Sequence, residues 1–170
     1  KTYYLGPKKI VGNLYVAGSV TLVITGTIYV TGNVTFDGAA TTTLSSSYGS
    51  NSGVIVTDGK VIFGGSAKAY GSGTSGSYLM LVSTSDCPKS SSCSGANAIE
   101  MLGAGNAIIL NAQKGTINFT GSAMANEATG YTIKMDGATR VIYESGLVNP
   151  NFTSGPSGGF NITGWKEIDY

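Results

Sequence analysis

Nine carboxylate side chains have the most scope for chemistry in this chain, because histidine is absent. Without histidine, Ser-His-Asp and Cys-His arrangements and imidazole metal sites are excluded. Carboxylates alone can cleave polysaccharides when two of them lie a fixed distance apart and one holds a proton. Asp37, Asp58 and Asp136 follow apolar runs, in "FDG", "TDG" and "MDG", and are the candidates for such a cluster.

Asp-Gly is, however, first of all a turn signal, because the aspartate side chain hydrogen-bonds to its own backbone. A turn role accounts for all three residues without any reaction. We therefore predict that the protein is not an enzyme and has no catalytic residue, metal or cofactor. Polysaccharide cleavage is kept as the third of three functional hypotheses.

Two cysteines, Cys87 and Cys93, lie in "DCPKSSSCSG", whose Pro, Ser and Gly predict a loop. A disulfide across so short a loop is sterically easy and stabilises by about 2 kcal/mol. The alternative is a metal pair, but zinc needs about four ligands. We predict a disulfide, and therefore an oxidising setting that is extracellular or at the cell surface.

Asn-x-Thr sequons, the acceptor pattern for N-glycosylation, occur at Asn33, Asn118, Asn151 and Asn161. Chance in a chain so rich in Asn, Ser and Thr predicts roughly two to three. The four are candidate glycosylation sites, and they do not discriminate between the competing functions.

Charge is sparse, at 11% of residues, and the net charge is +1 with a single arginine. This composition gives no electrostatic case for a nucleic-acid partner. Apolar runs stay well short of the ~18 residues of a membrane span, so we predict no membrane insertion. The chain begins at Lys1 and not at Met, which indicates a processed form or a fragment.

Short strand-like runs dominate the 170 residues, and the only helix candidate is "SAMANEATG" (122–130). The runs are periodic: "TGTIYVTGNVTF", "SGVIVTDGKVIF", "AGNAIILNAQKGTINF" and "TGYTIKMDGATRVIY" each contain a strand, a Gly corner and a second strand. Taking Ile28, Val54, Leu79, Ile108 and Ile133 as equivalent gives steps of 26, 25, 29 and 25 residues. Loops interrupt this repeat at 45–52, 71–76 and 84–97.

A helix-free repeat of this length predicts an all-β, single-domain parallel β-helix (β-solenoid) with about five to six coils and an irregular C-terminal cap. The alternative is an antiparallel β-sandwich, which also has many short strands. Runs such as VIV and IIL are apolar without alternation, which is typical of buried parallel strands and favours the solenoid.

The solenoid divides the chain into three parts. Residues 1–10 are expected to be an N-terminal strand or arm, 11–145 the solenoid, and 146–170 a cap on the last coil or a contact with a neighbouring molecule. The candidate subunit contacts are aromatic or apolar residues in the two terminal parts: Tyr3, Tyr4, Leu5, Ile10, Phe160, Trp165 and Tyr170.

Several phrases resemble a known family. "GSNSGVIVTDGKV", "GTSGSYLMLVSTS", "GAGNAIILNAQKGTINF" and the ending from "VIYESGLVNP" onward are similar to β-helical secreted proteins of small-genome bacteria, related to pilus-assembly (PilX-type) surface proteins. The resemblance covers roughly residues 8–170. It implies a parallel β-helix displayed at the surface or on a pilus-like filament, with no established enzymatic activity. The long apolar N-terminal helix of a whole pilin is missing from this chain.

The leading hypothesis is a structural subunit of an extracellular surface filament or pilus-like fibre, a homopolymer whose partner is the protein itself. Its open β ends would be satisfied by stacking, or by strand donation from Lys1–Ile10. The second hypothesis is a carbohydrate-binding or adhesin module. In either case surface glycans or covalently attached glycans are the other expected partners.

Overall fold

The computed structural model describes residues 1–102, 109–143 and 150–155. Within these residues there are β-strands and two short 3-10 turns (Ser46–Tyr48 and Ser91–Cys93), and no α-helix. The strands are β1 (Thr2–Leu5), β2 (Lys8–Ile10), β3 (Leu14–Val16), β4 (Thr21–Ile24), β5 (Ile28–Val30), β6 (Val34–Phe36), β7 (Thr41–Leu44), β8 (Gly53–Thr57), β9 (Val61–Phe63), β10 (Lys68–Tyr70), β11 (Leu79–Ser83), β12 (Ile99–Met101), β13 (Ile109–Phe119), β14 (Met124–Ala125), β15 (Glu127–Met135) and β16 (Arg140–Val141).

Every pair of these strands is parallel, and the strands stack on three faces. The first face holds β1, β4, β7 and β10, followed farther along the chain by the β14–β16 pair. The second face holds β2, β5, β8, β11 and the first parts of β13 and β15. The third face holds β3, β6, β9, β12 and the second parts of β13 and β15.

This architecture is the predicted parallel β-helix, and the antiparallel sandwich is excluded for the described residues. Six strands stack on the second face, which agrees with the expected five to six coils. We number the coils 1 to 6 from the N-terminus. At about 4.8 Å per coil the stack is roughly 30 Å long.

The core consists of columns in which like side chains stack from coil to coil. On the third face one column runs through Val34, Val61, Ile99 and Ile117, all buried. The neighbouring column is aromatic and sulfur-rich, and its Phe36 and Phe63 rings lie 4.7 Å apart. Alternate residues of the same strands point outward and are less buried, so each short strand reads buried–intermediate–buried.

The chain turns between faces at three corners. The first corner joins the first face to the second, the second corner joins the second to the third, and the third corner closes the coil. Loops at 45–52, 71–78 and 84–98 leave the first and second corners, close to the interruptions expected from the sequence. The short helix considered for 122–130 does not form, because those residues build β14 and the start of β15.

The first ten residues are part of the solenoid. They were expected to form a strand or arm that precedes the coils. Strands do form there, but they belong to the first coil, because β1 pairs with β4 and β2 pairs with β5. Leu5 stacks over Ile24 in an inward column, and its apolar side chain is partly buried there. This burial explains why the first ten residues belong to coil 1.

Residues 150–155 lie on the first corner between coils 2 and 3, whereas the sequence predicted that 146–170 cap the last coil or contact a neighbouring molecule. Phe152 bridges Ser52, and backbone N–H groups of Ser52 and Thr27 donate to the carbonyl oxygens of Asn151 and Ser154. The loop at 45–52 separates coils 2 and 3 at this corner. Residues 150–155 lie there and form hydrogen bonds with backbone groups of both coils. The predicted cap residues 146–149 and 156–170 lie outside the described residues.

Candidate functional site

Within residues 1–102, 109–143 and 150–155, the N-terminal end of the solenoid leaves one edge of every strand in coil 1 without a neighbouring strand. β1, β2 and β3 each pair on one side only, with β4, β5 and β6. Such an edge presents N–H and C=O groups that can pair with another chain. The exposed aromatic residues Tyr3, Tyr4 and Tyr15 lie on this coil.

A cavity of about 420 Å³ opens between the first and third faces at this end. Its lining is apolar and aromatic: Tyr3, Leu14, Tyr15, Val16, Ala17, Val20 and Leu22. Tyr3, Leu14 and Val16 begin inward columns, so the cavity lies over the part of the uncovered core between the first and third faces. An exposed apolar surface of this kind marks an interaction site more often than not.

The C-terminal end is also exposed within the described residues. β15 pairs with β13 only, and β16 pairs with β14 only. Ile133 and Met135 end the two inward columns of the third face and are 43% and 50% exposed, whereas Ile117 and Phe119 one coil earlier are fully buried. Tyr143, just beyond β16, is 65% exposed.

The structure places part of the predicted contact set at the N-terminal end. Tyr3 and Tyr4 are exposed, and Leu5 and Ile10 are partly buried against the core. The other three predicted contacts, Phe160, Trp165 and Tyr170, lie outside the described residues.

The predicted disulfide between Cys87 and Cys93 is confirmed. The Asp86 carboxylate lies close to both sulfur atoms. Because the sulfurs are bonded to each other they offer no thiolate, so this group does not provide the ligands zinc prefers. The loop also contacts coils 5 and 6, since the Thr116 N–H of β13 donates to the Cys87 carbonyl, and Lys89 Nζ lies 3.0 Å from the centre of the Tyr131 ring of β15.

The three candidate aspartates are not brought together. Asp58 lies at the second corner, whereas Asp37 and Asp136 lie at the third corner on coils 2 and 6. Asp37 Oδ1 accepts from the N–H of Gly38 at 2.7 Å, which is the turn role.

Asp58 has a different environment at the protein surface. Its carboxylate accepts hydrogen bonds from the hydroxyls of Tyr29 and Thr84. The hydrogen bond to Asp58 raises the pKa of Tyr29 above 10.0, because it stabilises the protonated phenol. No second carboxylate joins this group among the described contacts.

Asparagines at the second corner form a ladder that sequence reasoning missed. Asn13 Oδ1 accepts from the Asn33 N–H at 2.8 Å, and Asn33 Oδ1 accepts from the Lys60 N–H at 2.9 Å. Each asparagine side chain thus accepts a hydrogen bond from a backbone N–H of the next coil toward the C-terminus. The Gly-Asn pair that recurs in "VGN" and "TGN" is the sequence signal that could have indicated this ladder.

The sequons therefore differ in their surroundings. Asn33 is partly buried in the ladder, and Asn118 lies on the outer surface of the third face between Glu100 and Lys134. Asn151 is exposed, and its Nδ2 donates to Asn51 Oδ1. Asn161 lies outside the described residues, and glycosylation stays a prediction for all four.

A shallow groove of about 320 Å³ lies on the second face beside the cysteine loop. Five of its six lining residues have polar side chains, although the aliphatic parts of these residues contribute most of the exposed surface: Val82, Ser83, Thr84, Asn111, Gln113 and Lys114. Hydroxyl, amide and ammonium groups on a β-surface are suited to hydrogen-bonding a polar ligand.

Comparison of the chain with protein-family models, curated proteins and solved structures gave no match. None of the helices in the described part of the chain is long and apolar enough to cross a membrane.

Proposed function

We propose that the protein is a structural subunit of an extracellular surface filament or pilus-like fibre, in which solenoids associate through their ends. The observation that carries the proposal is that both terminal coils leave strand edges and the ends of core columns uncovered within the described residues. A second copy offers both missing components, a strand edge and apolar side chains.

Stacking of whole coils is the mode of association that the contacts support. Strand donation by Lys1–Ile10 would require β1 and β2 to leave β4 and β5, with which they already pair. Low charge, at 11% of residues, removes one common protection against edge-to-edge association. The disulfide supports an oxidising location, and the resemblance to secreted β-helical proteins is consistent with a surface role.

Sedimentation velocity and electron microscopy of the full chain test this proposal. We expect the average mass to rise with concentration and rods to appear with a subunit repeat of about 30 Å, the length of six coils. A protein that remains monomeric at millimolar concentration would contradict the proposal.

Carbohydrate binding is the second candidate function, and the polar groove beside Asn111 and Gln113 favours it. Glycan-array binding by the wild type, lost in Asn111→Ala but kept in Thr35→Ala on another face, would support this function. No binding at millimolar glycan would count against it.

A further inference from the structure

We infer that association is directional: coil 1 of one molecule contacts the C-terminal end of the next, formed by coil 6 and by β16 beyond it on the first face, head to tail. The inference rests on the proposed self-association and adds which surfaces meet. The alternative is contact between like ends, either two N-terminal ends or two C-terminal ends. Charge, shape and the side-chain columns each favour the directional arrangement.

Charge differs between the two ends. Coil 1 carries Lys1, Lys8 and Lys9, all exposed, and residues 1–20 contain no acidic side chain. Contact between two N-terminal ends would therefore place six ammonium groups at one junction, where like charges repel. The described C-terminal end carries two carboxylates, Glu127 and Asp136, and two cations, Lys134 and Arg140, so its charges balance and it repels the coil 1 lysines less than a second N-terminal end would.

Shape also differs between the ends. The N-terminal end has the apolar cavity of about 420 Å³, and two such ends would leave two cavities facing each other. The C-terminal end has exposed apolar side chains, Met135 among them, that can fill a cavity. A void without contacting atoms forfeits packing energy, so the unlike ends fit better.

The core columns would continue across a head-to-tail junction. On the third face, Leu14 begins the column that ends at Ile133, and Val16 begins the column that ends at Met135. Each column consists of aliphatic, aromatic or methionine side chains throughout. On the third face, an incoming coil 1 would therefore present to coil 6 the same kind of side chain that each internal coil presents to its neighbour. On the second face, Lys8 begins the inward column that runs through Ile28 and ends at Ala128.

Two blocking variants test the direction. Tyr3→Lys places a charge on the inward column at the N-terminal end, and Met135→Lys does the same at the C-terminal end. The matched controls are Tyr4→Lys, on the outward side of the same strand, and Thr129→Lys, on the outward side of β15. Circular dichroism and thermal unfolding check that each variant folds.

We expect each blocking variant alone to remain monomeric. A 1:1 mixture of the two should form dimers but no larger assemblies. The mixture has one intact end of each kind, so only one junction can form. Both controls should assemble as the wild type does. Self-dimerisation of either blocking variant, or a monomeric mixture, would overturn the directional arrangement while leaving self-association intact.

A monomeric wild type would overturn the proposed function itself, so the two failures are distinguishable. The direction of association can also be measured on the wild type, which does not require that any variant folds. Gold-labelling of the amino terminus of assembled wild-type protein should show labels at equal spacing, about 30 Å apart. Labels in close pairs separated by long gaps would indicate contact between like ends and overturn the inference.

Discussion

At the scale of single residues, asparagine side chains replace water as partners for corner N–H groups. Asn33 accepts from the Lys60 N–H of coil 3 while its own N–H donates to Asn13. Because the position is partly buried, an unpaired N–H there would lose part of its hydration.

Asn33→Ala is expected to lower the free energy of unfolding by about 1 kcal/mol, because the Lys60 N–H loses its acceptor. Urea denaturation of protein from a host that does not glycosylate measures this change. Asn118→Ala is the matched control, since it also removes an outward sequon asparagine but no ladder bond. Equal stability of the two variants would contradict the role assigned to Asn33.

Tyr48 is a buried tyrosine whose hydroxyl has no hydrogen-bond partner in the described structure. Burial raises the pKa of Tyr48 above 10.0, since the charged phenolate would be desolvated. The unfolded chain therefore releases this proton at lower pH than the folded chain. Stability from this residue is fully present below pH 10 and falls as the pH rises above it.

Tyr48→Phe is expected to leave stability at pH 7 unchanged or higher, because it removes an unpaired buried hydroxyl. It should also reduce the decline in stability above pH 10. Denaturation series between neutral and alkaline pH measure both effects. Tyr15→Phe, at an exposed position, is the control, and an identical alkaline decline in wild type and Tyr48→Phe would refute the argument.

At the scale of elements, the third corner depends on stacked glycines. Gly38 and Gly65 have φ values of +65° and +59°, a region that other residues rarely adopt. A Cβ on Gly65 would lie 2.8 Å from the Gly38 carbonyl oxygen one coil below. Conformation and close stacking therefore both require glycine at this position.

Gly65→Ala is expected to destabilise by about 2–3 kcal/mol, because it combines the unfavourable φ with a clash against backbone. Gly73→Ala separates the two causes: its φ is +91°, but nothing lies within 4 Å of the added Cβ. We expect a loss of about 1 kcal/mol there. Thermal unfolding compares them, and an equal cost would show that coil-to-coil contact adds nothing.

Strands of the first face were the elements that sequence reasoning missed most often. "TTTL" (41–44) and "KAY" (68–70) lack the apolar run that marks a strand, yet β7 and β10 form there. The inward residues of β7 are Thr42 and Leu44, and the inward residue of β10 is Ala69, so Leu44 is the one large apolar side chain among them. Strand formation there follows from pairing of β7 with β4 and of β10 with β7, which local sequence does not encode.

The repeat alignment was also partly in error. Ile28 stacks on Ile55, not on Val54, and Ile133 belongs to the third face, not the second. Loops of different length interrupt the coils. Residues at equal spacing along the chain therefore do not occupy equivalent positions in successive coils.

At the scale of the whole molecule, the segment 150–155 ties the end of the chain to coils 2 and 3. The contact joins residues about a hundred positions apart, as in the Asn51–Asn151 hydrogen bond. The Thr153 N–H donates to the Ser52 carbonyl at 3.0 Å. Gly155 lies against the Tyr48 hydroxyl, so the segment also covers that side chain.

Thr153→Pro is expected to loosen this segment, because proline has no N–H to donate to Ser52. The amides of Thr27 and Ser52, which donate to the segment, should exchange faster with deuterium. Thr153→Ala keeps the N–H and is the control. Unchanged exchange at both amides in the proline variant would show that the segment contributes little to closing this corner.

The sequence alone determined the solenoid class, the approximate coil number, most strands of the second and third faces, the loop positions and the disulfide. These features follow from local patterns: apolar runs of strand length, Gly corners, and cysteines a short loop apart.

Only the tertiary structure decided which residues stack on which, that the first ten residues belong to coil 1, and that residues 150–155 return to coils 2 and 3. It also separated Asp58 from Asp37 and Asp136 and revealed the asparagine ladder. The physical reason is the same in each case: these features are pairings between distant parts of the chain, and the loop lengths between them set the register.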